Sequence, residues 1–302
     1  MSDPVLIEET LQFGEGGRLS GIFTQPSVPV RDPSELPVFV FFNAGLVHRI
    51  GPHRLYVHLA RDLSRMGFSS LRVDLAGKGD SSPRPGLTNE QSVAADYDEI
   101  LRALESRLAP GPLVLAGLCS GADNAIRLAP KDSRVVGLVL LDPVCSPDDG
   151  FSARAFVLKY TNAARYVAWL KRRFEALTTQ PRGRKEEVDP LSIRDVPTWE
   201  QLRAAFESIR EREGRVLSVF TQYALRYYNQ AGQLGRVLGL EGYHQFCTEL
   251  FWPQAEHTYT LELHRRRLIH AIKTWASGCL RSTCRSSTMS LQEPQRNIET
   301  RT

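Results

Sequence analysis

The chain has 302 residues, 42% of them hydrophobic and 24% charged, which excludes a disordered polyelectrolyte and leaves enough apolar residues for a sizeable core. The formal charge of +4, from 38 Lys and Arg against 34 Asp and Glu, is too small to argue for a nucleic acid or an anionic membrane as partner. The N-terminal MSDPVLIEET has neither the basic nor the apolar region of a secretion signal, and no run of about 18 apolar residues occurs, so a chain without a membrane span and a cytoplasmic location are expected.

Residues 5–13 and 18–23 read as two short strands around the turn-rich Gly14-Glu15-Gly16-Gly17, and predict a hairpin. The continuous apolar run PVFVFFN at 37–43 has the character of a strand buried on both faces. A helix follows over 53–66, with Leu55, Leu59, Leu63 and Met66 on one stripe. The alternation repeats through strand 70–74, helix 90–108, strand 113–118, helix 120–128 and strand 135–141, and so predicts a parallel sheet covered on both faces.

Residues 143–213 interrupt this rhythm with a charged, helix-prone stretch, read as a helical cap inserted between core segments 1–142 and 214–277. The core pattern resumes with strand 215–220, a helix near 233–240, a strand near 243–250 and a last helix over 261–275. Residues 278–302 lack periodicity and read as a flexible tail.

The segment LVLAGLCSGADNA places Gly117-Leu118-Cys119-Ser120-Gly121 where a buried strand gives way to a helix. This is the G-x-S-x-G frame of a nucleophile elbow with cysteine at its centre. A sharp strand-to-helix bend demands small flanking residues, and the helix N-terminus favours a thiolate and a developing oxyanion. A glycine frame of five residues also ends many inert strands, so its weight comes from three further signals in the right order.

Asn43-Ala44-Gly45-Leu46 follows the third strand and assigns the backbone N–H groups of Leu46 and Ser120 as oxyanion donors, although a plain strand-ending turn explains Gly45 equally well. Asp74-Leu75-Ala76-Gly77-Lys78-Gly79-Asp80-Ser81 follows the fourth strand and has a structural, non-chemical character. Pro253 to Thr258 holds His257 between the last strand and the last helix, where a base is expected. Of the other six histidines, only His48 lies close enough to Gly45 to be a candidate lining residue.

With these motifs in view, the chain over roughly residues 5–277 resembles the α/β-hydrolase superfamily. FFNAGLVHRIGPHRLY, RVDLAGKGDS, GLCSGA and AEHTYT resemble the serine aminopeptidase S33-like group, including hydrolases associated with exosortase systems. The resemblance implies an α/β-hydrolase fold with a mostly parallel sheet, and a nucleophile, a histidine and an acid. The acid usually follows the strand that ends here near Phe220, but Thr221 to Asn229 contains no carboxylate. Asp142, which ends the strand after the elbow, is the replacement candidate, at the position where assembly-line thioesterase domains keep their acid. An Asp-Pro turn is the alternative role for Asp142, Asn229 is the next candidate, and a bare Cys119–His257 dyad is chemically viable.

Cysteine at the elbow is similar to dienelactone hydrolases and polyhydroxyalkanoate synthases. It directs the expectation toward a thioesterase, acyltransferase or cyclase working through an acyl-cysteine intermediate. A carboxylesterase or peptidase-type hydrolase, even with Ser120 as nucleophile, and a non-catalytic binding module remain alternatives. Five cysteines without a C-x-x-C pair indicate neither a disulfide scaffold nor a zinc site, and no cofactor is expected. The cap residues Arg165, Lys171, Arg172, Arg173, Arg182, Arg184 and Lys185 could meet a phosphopantetheine arm or an acyl carrier protein, or form a solvated face. Tyr160, Tyr166, Trp169 and Phe174 would give the cap an apolar underside.

Overall fold

A computed structural model describes residues 6–28, 36–109, 111–161 and 194–280. Among them, eight strands form one sheet in the order β1-β2-β4-β3-β5-β6-β7-β8. Strands β1 (Leu6–Phe13) and β2 (Leu19–Pro26) make the expected hairpin, and β2 runs antiparallel to β4 (Ser70–Asp74). From β4 onward, β3 (Val38–Phe42), β5 (Leu113–Leu118), β6 (Val135–Leu141), β7 (Arg215–Thr221) and β8 (Cys247–Trp252) are all parallel. The fold is therefore the expected α/β-hydrolase architecture.

Strands β3, β4 and β5 are buried along their whole length. Helices on both faces require apolar side chains in both directions, which is why these strands are continuous apolar runs and not alternating ones. Helix α1 (Leu55–Arg65) and the C-terminal helix Glu262–Trp275 close one face around Phe39, Phe41, Val114 and Leu217. Helices α2 (Asn89–Glu105) and α3 (Ser120–Leu128) close the other around Val40, Phe42, Leu115 and Leu138.

Two expectations are corrected. Helix Trp199–Glu211 was assigned to the inserted cap, but Leu202, Ala205, Phe206 and Ile209 are buried in the same core layer as α3, so the core resumes before residue 214. The strand expected from 243 starts at Cys247, because Tyr243–Phe246 is a helical turn entered through Gly242 in the left-handed region. A third point concerns the cap itself. Helix α4 (Phe151–Thr161) opens that insertion, whereas the seven basic cap residues and Tyr166, Trp169 and Phe174 lie outside the described residues, as does the side chain of Tyr160.

Because β3 and β5 to β8 point the same way, the loops after all of them gather at one edge of the sheet. Open α/β sheets bind ligands at that edge.

Candidate active site

Cys119 sits between the end of β5 and the start of α3 with φ 57° and ψ −120°, a backbone conformation that L residues seldom adopt. The flanking glycines make the bend feasible. A Cβ on Gly117 would lie 2.2 Å from the carbonyl carbon of Gly121, and one on Gly121 would lie 2.8 Å from the carbonyl oxygens of Phe42 and Asn43. The Cys119 N–H donates to Leu141 O at 2.9 Å, and its carbonyl accepts from Ala122 N and Asp123 N in the first turn of α3. Its side chain is half-buried at the sheet edge, whereas Cys145 and Cys247 are buried, and burial pushes both of their thiols up.

The loop after β8 brings His257 to the same edge. Its Nδ1 lies 2.7 Å from Oδ2 of Asp142. Burial opposes the charged ring, but hydrogen bonds to Asp142 and Cys119, together with the negative charges of both, push the imidazole up from 6.5 to about 9. The ring thus has the carboxylate on one side and the sulfur within hydrogen-bond reach on the other. Tyr223 stacks on His257 with centroids 4.0 Å apart, and the Arg226 guanidinium lies 4.7 Å from the Tyr223 ring centroid.

Asp142 is fully buried at the end of β6 with φ 48°. Its Oδ1 accepts from the Thr221 N–H and its Oδ2 from the Thr221 hydroxyl, both at 2.6 Å. Thr221 stands at the end of β7, where the acid was expected and is missing. It serves the site by holding the carboxylate supplied from β6.

Arg194 and Asp123 form a buried ion pair below the elbow. Nη2 of Arg194 donates to Asp123 Oδ1 at 2.7 Å, to the Cys119 carbonyl at 3.1 Å and to the Asp142 carbonyl at 3.3 Å. One guanidinium therefore ties together the two residues that carry positive φ at the sheet edge. No motif singles out Arg194, because its partners are one carboxylate 71 residues away and two backbone carbonyls.

The Gly45 N–H donates to the Ser120 hydroxyl at 2.8 Å, which pins the loop after β3 to the start of α3. Gly45 has φ 58°, and the Leu46 side chain is exposed, so the only part of Leu46 relevant to an oxyanion is its backbone N–H. The D-x-x-G-x-G-x-S segment has the structural part expected of it. Asp74 accepts from Asn43 Nδ2 at 2.8 Å and from Arg49 N at 2.7 Å, and Asn43 Oδ1 accepts from Leu75 N at 2.8 Å.

Two further candidates, His48 and Asn229, make contacts of their own. His48 contacts Asp80 at 3.2 Å and Arg49 at 2.8 Å, in the charged cluster behind the loop. The Asn229 amide accepts from Arg154 Nε at 2.8 Å and donates to the Phe151 carbonyl at 2.9 Å, which anchors α4. Proximity in sequence to a site loop does not fix which way a side chain turns. His48, Asp74 and Asp80 could each offer one atom to a cation. The Arg49 guanidinium already fills that space, bonded to both carboxylates.

No helix among the described residues is long and apolar enough to cross a membrane. The family model described as serine aminopeptidase, S33, matches residues 44–216. No curated protein matches the chain. Among solved structures, the chain is similar to an esterase of Pyrococcus furiosus, with a TM-score of 0.55 and 12% identity over 92% of each chain. A putative dienelactone hydrolase from Klebsiella pneumoniae gives a TM-score of 0.53 and 12% identity, over 91% of this chain and 99% of that one. A thioesterase domain from the curacin biosynthetic pathway gives a TM-score of 0.50 and 18% identity, over 89% and 99%. At these identities the likeness is one of fold.

Proposed function

The chain belongs to the serine aminopeptidase S33 family of hydrolases, and from that premise we propose that it is an acyl-transfer enzyme in which Cys119 takes the place of the family's serine. Its substrate class is an activated ester or thioester, and the reaction is thioester hydrolysis, transfer or cyclisation. A phosphopantetheine thioester or an acyl carrier protein is the partner class we favour.

The observation that carries this reading is the His257 ring, bonded to buried Asp142 through Nδ1 and within reach of the Cys119 sulfur. With Nδ1 held by Asp142, Nε2 takes the thiol proton and leaves a thiolate next to an imidazolium, the charged ring being favoured by both partners. The sulfur attacks the acyl carbonyl carbon, and the N–H groups of Leu46 and Ser120 receive the resulting oxyanion. Collapse expels the leaving group, protonated by His257, and leaves a thioester on Cys119. Water, an amine or an alcohol then gives up its proton to His257, attacks the thioester and regenerates the thiol. Asp142 keeps Nδ1 protonated, so that Nε2 faces the sulfur throughout.

Family membership also favours a second reading, in which water is the acceptor and the protein acts as a carboxylesterase. Ser120 as nucleophile has less support, since its hydroxyl already accepts the Gly45 N–H. A panel of acyl thioesters and p-nitrophenyl esters, assayed with and without amine acceptors, separates these readings. Cysteine chemistry requires Cys119→Ala to lose all turnover while Ser120→Ala retains part of it. The reverse result assigns the serine.

A further inference from the structure

A second functional feature lies behind the loop that carries Gly45 and Leu46. There, an open pocket of about 460 Å³ is bounded by Glu8 of β1, Arg72 of β4, Arg54 and Arg61 at the start and on the outer side of α1, and Arg49 of the loop itself. Four guanidinium groups against one carboxylate is an unusual balance for one pocket, and the pairing within it is incomplete. Glu8 is shared between Arg61, at 2.5 and 3.0 Å, and Arg72, at 2.8 Å. Arg49 is committed to Asp74 and Asp80, which stand behind it and offset its charge. Among the described residues, no carboxylate pairs with Arg54. Arg54, Arg61 and Arg72 against Glu8 thus leave a surplus of two positive charges.

The unused hydrogen-bond donors agree with this count. The Nε–H groups of Arg49 and Arg72 are buried without an acceptor, although the Arg72 side chain is only 4% exposed. Burial lowers the Arg72 pKa, Glu8 opposes that effect, and the charges of Arg61 and Arg49 add to it. Arg54 reaches the pocket from a backbone with φ 61°, directly after His53 with φ 49°. Two consecutive non-glycine residues in the left-handed region are a local strain of the kind found at ligand-holding sites. Ile22, Ile50 and Val57 supply an apolar wall beside the cations.

We propose that this pocket binds a dianionic phosphate group, as a phosphate monoester or a diphosphate, with the organic part of the ligand against the apolar wall. Planar guanidinium forks match phosphate oxygens in pairs, and a surplus of two charges matches a dianion. The pocket shares Arg49 with the loop pinned to Ser120, so the ligand would sit against the scaffold of the candidate active site. The claim does not depend on the identity of the nucleophile.

Calorimetric titration of the full chain with inorganic phosphate and with pyrophosphate, at ionic strength fixed with sodium chloride and with citrate as a control anion, tests the proposal. Saturable binding of pyrophosphate is expected, at least tenfold tighter than that of citrate. Arg54→Ala should weaken it about tenfold, the loss of one charge-assisted contact, and Arg54→Glu should abolish it. Arg54 is exposed and removing its charge relieves repulsion in the pocket, so the unliganded melting temperature of neither variant should fall below that of the parent, which separates lost binding from lost fold. No saturable binding, citrate binding as tight as pyrophosphate, or a well-folded Arg54→Glu chain that binds pyrophosphate as before would each overturn the proposal.

Discussion

Replacing Asp142 by asparagine keeps its volume and reverses one of its hydrogen-bonding atoms. In the wild-type chain all three bonds to this carboxylate come from donors: Thr221 N–H, the Thr221 hydroxyl and His257 Nδ1–H. An amide NH₂ in place of Oδ1 would face the Thr221 N–H, so it takes the Oδ2 position instead. His257 Nδ1 must then accept, and its proton moves to Nε2, the nitrogen that has to take a proton from sulfur. The same change removes the largest of the effects that raise the imidazole from 6.5 to about 9. Without that support the imidazolium facing the sulfur is less stable at pH 7, and so is a thiolate–imidazolium pair. Alkylation of Cys119 by iodoacetamide at pH 7, followed by intact mass, should therefore slow at least tenfold in Asp142→Asn and recover above pH 9. Equal rates at pH 7 in both proteins would refute the role given to Asp142.

The buried ion pair gives a second prediction: Arg194→Met leaves Asp123 unpaired and should cost about 3–5 kcal/mol in chemical denaturation, whereas Arg194→Met with Asp123→Leu should regain most of that stability. Turnover of the double variant should remain at least tenfold down, because nothing then holds the carbonyls of Cys119 and Asp142 together. A third concerns pH. The folded pKa of His257, about 9, lies above its unfolded value, so its contribution to stability is complete below about pH 6.5 and fades as pH rises through 9. Urea unfolding should show the wild-type advantage over His257→Gln shrinking by no more than about 3 kcal/mol between pH 6 and 9.5, and an advantage that grows with pH would contradict the assignment.

The sheet was legible because its strands are buried on both faces. Residues 113–118 and 135–141 have the same limits in sequence and structure, since an uninterrupted apolar run has only one place in a doubly covered sheet. Helix Trp199–Glu211 was misplaced because an apolar stripe of Leu202, Phe206 and Ile209 does not say whether it covers a sheet or a pocket. Tyr243 and Phe246 have strand propensity, but the left-handed Gly242 turns them into a helical cap before β8. The placement of Cys119 at a strand-to-helix bend and of His257 in the loop after β8 could be read from glycine spacing and chain order. Thr221 and Arg194 could not, as each acts through bonds whose partners are about 50 or more residues away. The contacts of His48 and Asn229 were equally illegible: each bonds charged neighbours that its position in the sequence does not indicate.

Residue-level location of a trapped acyl group bears most directly on the central claim. After a short exposure of the wild-type chain to an acyl thioester and an acid quench, peptide mass spectrometry should find the acyl mass on Cys119, released by neutral hydroxylamine as expected of a thioester. An acyl group on Ser120, stable to that treatment, would contradict the account and return the chain to ordinary serine chemistry.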